Sequence, residues 1–536
     1  MKYDDLRKII EDAERYQKDN FLKQAEMFIN WYEGRFKGSG KREIPYIVNL
    51  TYQIAKTIRV SIYSENPSFQ VKIGQSVEDD TTRRKTARLL EEGLKHILSR
   101  MQIHRVNRRV IDDAVVCGFG CTKLGYRVNG GNKELDTPSV TSNKKDEPFV
   151  NRISPLNIIL PPEATTLMSL PYICEIIWLK KEVAEKYFKK EDLPTETKEN
   201  ERNQVEYVKI YEFHDYVDNK IYTMIEGVDK IVNKVDYPIY DNDGNCKNMY
   251  QLLWFNDNIS DKIYPVSDIF YVMSQISEAN DAVERRINFA RKSRAGLFLT
   301  GNWDEDDLKN LKEGDDGYII KSLTGDGKVT NVPMMTLGQE FYQNIEYIRQ
   351  EIFETLGITD YMVGSGGGRM ATEAQLIERS RLDRVGDRVR IIEDFYFTQV
   401  DTLIELMKQY QEVGIEISEL YNNEIIAGEL NSELLKTTDA QIVVIPGSTV
   451  ELDGTKELMK MEKIIQMAAA LDPMVAQEVF KRLLEREGFG DLVQNITPQA
   501  MQQPDIPGMQ GVEGVPSQTP MERGELPNLG SVEGLS

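Results

Sequence analysis

Histidine is scarce in this chain of 536 residues: His96, His104 and His214 are the full complement. A mechanism needing several imidazoles, as bases or as zinc ligands, starts from a poor inventory. The four cysteines, Cys117, Cys121, Cys174 and Cys246, are too few and too scattered for a disulfide framework. Cys117 and Cys121 stand in a C-x3-C spacing, but Cys174 and Cys246 supply no obvious second pair, so neither metal nor cofactor is expected. No apolar run approaches the roughly 18 to 20 residues that a membrane-crossing helix needs. The first residues do not follow the charged, apolar, small-residue order of a signal peptide, so synthesis in a reducing cytoplasm and no membrane partner are expected. Basic residues are outnumbered 66 to 87, leaving a net charge of −21. That balance favours solubility and argues against a protein that grips nucleic acid over its whole surface.

The length implies several packing units, and the patterning is helix-rich α+β. Leu6, Ile9, Ile10, Ala13 and Tyr16 recur at helical spacing in residues 3–36, and Ile54, Ile58 and Ile62 do so in 48–64. A strand is expected at 68–73. A long helical pattern then covers 79–116, carrying Arg83, Arg84, Arg88, Arg100, Arg105, Arg108 and Arg109 among acidic residues, a solvated or intersubunit face. The glycines around Cys117 and Cys121 turn a helix sharply into a strand. Short β-prone runs dominate 149–264, with one helix near 181–188. Asp241 to Gly244 resembles a calcium loop only superficially, because Ile239 holds the first ligand position, and a hairpin turn is expected. Ser267 and Asp268 can cap a helix running to Arg294. Strand-like pieces at 296–300, 318–322 and 329–332 interrupt the helices, which resume over 338–357. A long helix runs from Thr372 to about Gly414, a strand over 441–445, and two helices over 454–486. Past Pro498 the Pro, Gly, Gln and Ser content predicts disorder.

Between two helices lies Gly364-Ser365-Gly366-Gly367-Gly368-Arg369. A glycine loop before a helix invites a phosphate-binding reading. A P-loop, however, requires Lys and then Ser or Thr after the last glycine, whereas Arg369 and Met370 follow here, and a helix precedes the loop where both nucleotide folds place a strand. A flexible linker between helices is the plain alternative.

A helix, a small β-rich insert, a returning helix, a glycine loop and then Ala371-Thr372-Glu373-Ala374 opening a long charged helix resembles the core of phage portal proteins. The similarity is best over about residues 265–412. It implies an N-terminal helical and α/β wing (1–266), stem helices (267–294 and 336–358) around a clip (295–335), and a tunnel loop (359–371). The long helix with the rest of the wing (372–453), a helical crown (454–495) and a disordered tail (496–536) would follow. In that reading Met362, Val363, Gly364, Ser365, Gly366, Gly367, Gly368, Arg369 and Met370 face double-stranded DNA, independent of its sequence. Arg369 either touches phosphates or pairs with an acidic neighbour across a subunit boundary. Asp304, Glu305, Asp306, Asp307, Asp315, Asp316, Lys321 and Lys328 belong to the clip, which docks the terminase large subunit and later the head-completion or tail connector proteins.

The resemblance further implies a non-enzymatic ring of twelve copies at a unique capsid vertex of the virion, contacting major capsid and scaffolding proteins and made in the host bacterial cytoplasm. Twelve copies would carry roughly −250 charges, and repulsion would keep DNA from sticking while a few loop contacts guide it. The charges along Arg379 to Asp394 make this helix poorly suited to burial in one protomer's core and suit pairing with neighbours around a ring, and Phe395, Tyr396, Phe397, Leu403, Ile404 and Leu406 are candidates for apolar subunit contacts, with burial inside the protomer the alternative for about half of them. The competing readings are another virion structural or scaffolding protein built on long helices, and an unrecognised nuclease or ATPase.

Overall fold

The computed structural model describes residues 1–35, 47–73, 80–127, 147–168, 170–194, 198–199, 206–240, 244, 246–258, 260–292, 296–300, 328–332, 339–358, 371–411, 414–421, 424–438, 440–445 and 448–449. The chain divides into two units, Met1–Glu451 and Leu452–Ser536, and every described residue lies in the first. The expected crown helices and tail lie outside the described residues.

Helix α1 (Tyr3–Gln17) buries Leu6, Ile10, Ala13 and Gln17, the stripe that its spacing dictates. It passes through a single wide turn, Lys18–Leu22, into α2 (Lys23–Tyr32). Asn49 caps α3 (Leu50–Ile62), accepting from Tyr52 N, and Ile54, Ile58 and Ile62 are all buried. The long pattern over 79–116 divides into α4 (Asp80–Arg100) and α5 (Ile103–Cys117). The break falls at Gln102, which takes φ 54°. No glycine or proline announces it in the sequence.

At the end of α5, Gly118 adopts φ 108°, and a Cβ there would lie 2.5 Å from Pro265 O. Only glycine permits both the turn and this close approach, which is how the chain passes from α5 into strand β2. After β1 (Phe69–Ile73), β2 (Phe119–Arg127) pairs antiparallel with β3 (Glu147–Ile153). Strands β4 (Ile158–Ile159), β5 (Tyr172–Lys180), β6 (Lys198–Glu199), β7 (Glu206–Asp215), β8 (Lys220–Ile225) and β9 (Ile231–Asp236) make an antiparallel sheet ordered β4-β5-β7-β8-β9, with β6 on β7. Helix α6 (Lys181–Tyr187) follows β5. Past β9, Tyr240 and Cys246 bridge in antiparallel fashion around Gly244 at φ 83°, the expected hairpin. Strand β10 (Tyr250–Trp254) then joins β2, completing a sheet ordered β10-β2-β3.

Next come α7 (Asp268–Tyr271), α8 (Met273–Lys292), the hairpin of β11 (Gly296–Thr300) and β12 (Lys328–Val332), α9 (Gln339–Leu356) and α10 (Ala371–Tyr410). The chain closes with the ribbon β13 (Ile415–Tyr421) and β14 (Glu424–Leu430), α11 (Ser432–Thr437), and β15 (Ala440–Val444), which returns to pair with β1. Ribbon and α4 pack so tightly that a Cβ on Gly93 would lie 2.7 Å from the Leu430 side chain, and one on Gly428 2.6 Å from Leu89.

The principal core gathers around the second half of α10, where Ile392, Phe395, Tyr396, Val400, Leu403, Ile404, Leu406 and Met407 are buried beside residues of α3, α5 and β2. This corrects the expectation that α10 resists burial in one protomer. Of the six residues offered as subunit contacts, Phe395, Tyr396, Leu403, Ile404 and Leu406 are internal, and Phe397 alone is exposed. Two of the charges on this stretch find partners within the chain, while Asp387, Arg390 and Asp394 are exposed. Arg388 pairs with Asp268, and buried Glu393 accepts a hydrogen bond from Thr449 Oγ1 at 3.2 Å.

Candidate functional site

Two polar devices hold the elements to which the sequence assigns function. The first stands where α7 begins. Ser267 Oγ accepts from Phe270 N at 3.1 Å, the cap that the sequence suggests. Asp268 was expected to share this capping; it faces inward instead. Its two carboxylate oxygens take Arg388 of α10 at 2.7 and 3.0 Å, and Asn256 Nδ2 donates to it at 3.1 Å. The Arg388 guanidinium also lies 5.3 Å from the centre of the Phe255 ring. Asp268 is only 1 % exposed, so this bidentate pair is the polar tie between the α7–α8 segment and the long helix. Helices α8 and α9 then pack together. Ile276, Ala279, Ala282 and Val283 are buried on α8, and Ile348, Ile352 and Phe353 on α9. Between them β11 and β12 pair from Gly296 opposite Val332 to Thr300 opposite Lys328.

The second device joins the two sheets. Register sets Glu175 of β5 directly opposite Glu212 of β7, a like-charged cross-strand pair that would by itself repel. Lys123 of β2 inserts its ammonium between them, 2.9 Å from Glu175 and 2.6 Å from Glu212. Tyr250, paired with Lys123 across β10 and β2, donates to Glu175 at 2.7 Å. His214 Nε2 meets Glu212 at 2.6 Å, and His214 Nδ1 is buried without a hydrogen-bond partner. A neutral imidazole with its proton on Nε2 satisfies this arrangement, because a proton on Nδ1 would be an unpaired buried donor. Burial accordingly pushes the His214 pKa below the ordinary value, with Lys123 acting in the same sense and Glu212 against it. Burial alone would raise the Glu212 pKa, but the charge of Lys123 and the His214 hydrogen bond outweigh it and hold this carboxyl well below its usual range. Lys123 stays charged because its two carboxylates outweigh the burial that opposes the charge.

The sequence-assigned site residues fare unequally. Met362 to Met370, the whole candidate loop, lie outside the described residues. So do Asp304, Glu305, Asp306, Asp307, Asp315, Asp316 and Lys321. Lys328 is exposed at the start of β12. Sequence reasoning passed over Lys123, Glu175, Glu212 and His214, and took Arg388 for a charge aimed at a neighbouring subunit. The available signal was weak: Lys123 is the one charge between Phe119 and Tyr126, whereas Glu212 lies in a β7 that also carries Glu206, Lys209 and Asp215.

Among the described residues no group of three or more His, Cys, Asp and Glu side chains is arranged to hold a metal ion, and no helix is long and apolar enough to cross a membrane. The geometry on view anchors long elements to a packed body, the anatomy of a structural subunit. Residues 62–292, less than half of the chain, match the model of the family described as Phage P22-like portal protein, and the match supports a phage portal protein. No curated protein matches it. The portal family is structural and not enzymatic, and its members are ring-forming proteins of the virion capsid vertex. The match falls mainly upstream of the 265–412 region where the sequence resemblance was best, overlapping it only through α7 and α8.

Proposed function

We propose that this protein forms a ring of twelve copies at one capsid vertex, through which double-stranded DNA enters during packaging and leaves during ejection. The observation that carries this reading is the order α8, hairpin, α9, α10 growing out of a body that matches the portal family, with α10 fastened at Arg388. Helices α8 and α9 serve as the stem, and the β11–β12 unit with its acidic intervening segment as the clip that receives the terminase motor and later a connector. The segment 359–371 follows DNA through the tunnel, its glycines supplying freedom of movement. Conduction is passive, because the sequence offers no credible ATP site and the motor is a separate protein.

Negative-stain microscopy of the purified protein tests the ring. Top views should show a central hole and about twelve-fold symmetry, as the family resemblance implies; monomers, filaments or a globule without a hole would overturn it. Deleting Gly364 to Gly368 should leave rings intact while impairing packaging or DNA retention. Unchanged packaging would remove the loop from the mechanism.

A further inference from the structure

A cationic surface stands out on a chain whose net charge is −21. On α5, Arg105, Arg108 and Arg109 follow the i, i+3, i+4 spacing that puts them on one face, and all three are exposed. Among the described residues none of them forms an ion pair; Arg105 donates to Gln102 Oε1 at 3.2 Å. Of the two acids one turn further along α5, Asp112 is already engaged by Lys56 at 2.6 Å and Arg59 at 3.3 Å, and Asp113 by Arg152 at 2.5 Å. The excess of positive charge is felt locally. His104, its ring 5.4 Å from that of Tyr63, has its pKa lowered by burial first and then by Arg108 and Arg59, with Glu65 opposing.

Apolar surface accompanies the charge. Tyr52 and Val60 of α3 are 48 % and 62 % exposed, and Lys56 Nζ lies 5.6 Å from the centre of the Tyr52 ring. Arginine and tyrosine around exposed aliphatic surface is the composition of a protein interface. A surface for DNA phosphates would gain nothing from Val60 and would not place Asp112 in its midst. We infer that this α3–α5 face docks a second copy of this chain, whose surplus of 87 acidic over 66 basic residues supplies the complementary carboxylates. The inference rests on the ring reading and adds to it the face on which neighbours meet.

The full-length chain tests it, with assembly followed by mass photometry and folding by circular dichroism and thermal unfolding. The double variant Arg108→Glu, Arg109→Glu should stay folded yet lose the ring species at concentrations where the wild type is fully assembled. Val60→Asp should do the same without touching an arginine, and it carries the test alone should the double variant misfold. High salt should loosen wild-type rings. Folded variants that assemble like the wild type would overturn the inference while leaving the ring reading intact. A wild type that stays monomeric would overturn both. Variants that form normal rings but lose retention of double-stranded DNA would assign the face to DNA and overturn docking between copies.

Discussion

The body of the protein and the segment running from α8 through α9 meet their burial demands in opposite ways. In the body, α5 buries Ile103, Asn107, Val110, Ile111, Ala114, Val115, Val116 and Cys117, and charges buried there find partners inside the chain: Asp113 of α5 with Arg152, Lys123 of β2 with two glutamates. Among its described side chains, helix α9, of similar length, buries Ile348, Ile352 and Phe353 and leaves Tyr347 62 % exposed. Asn280 on α8 reaches back to the body, accepting from Val48 N at 2.9 Å. A helix that buries little of its own surface draws less of its stability from the protomer. Among the described residues, α9 gives the protomer less buried apolar surface than α5 does.

That contrast is broken most severely at Lys123. Lys123→Met removes the cation that bridges Glu175 and Glu212, and the folded protein should lose about 3–5 kcal/mol, measured by urea unfolding. An unchanged midpoint would mean that the two carboxylates find another partner. Arg388→Ala leaves Asp268 buried with only Asn256 and should cost roughly 3 kcal/mol. Protease digestion should then cut first between 268 and 292; uniform digestion would show that the pair is not what holds this segment. Gly93→Val drives methyl groups into Ile417 and Leu430 and should cost about 1–3 kcal/mol by thermal unfolding.

The pH dependence sharpens the comparison further. His214 titrates below its unfolded value near pH 6.5, so the folded state binds fewer protons in that window. Its contribution is present above about pH 6.5 and is lost as pH falls toward the folded pKa. Glu212, also lowered, keeps its contribution until the pH falls below about 4.5. The His214 contribution to the wild-type melting temperature should therefore fall between about pH 7 and 5, against the opposite slope of Asp113, whose carboxyl burial pushes up to about 6, and His214→Gln should remove the His214 part. A slope untouched by the substitution would place the titrating group elsewhere. The smallest effect belongs to Tyr347→Ser on α9, within about 0.5 kcal/mol on the protomer. A large loss in the isolated chain would contradict the division between body and segment.

The parts of this architecture governed by local rules were legible in the sequence. Ser267 marked a helix start, the glycines after Cys117 marked a sharp turn, and the apolar spacing of α3 named its core residues. Rules that act across the chain were not. Ile231–Asp236 lacks a clean alternation and is held as β9 by pairing with β8. The ribbon of β13 and β14 does alternate in Ile415-Glu416-Ile417, yet it follows a charged helix and its meaning depends on α4 lying against it. Gln102 breaks a helix with no residue type that signals a break. Lys123 reads as a surface lysine until strands 52 and 89 residues away bring their glutamates to it.

The embedding of α10 has a mechanical corollary. Forty residues of helix span about 60 Å, and the described side chains from Val389 to Met407 are largely fixed in the core. The N-terminal end at Ala371 stands about 25 Å along the axis from Arg388. A beam gripped at one end cannot slide. A push on its N-terminal end becomes a torque at the grip, and here that torque falls on Asp268, at the root of α7.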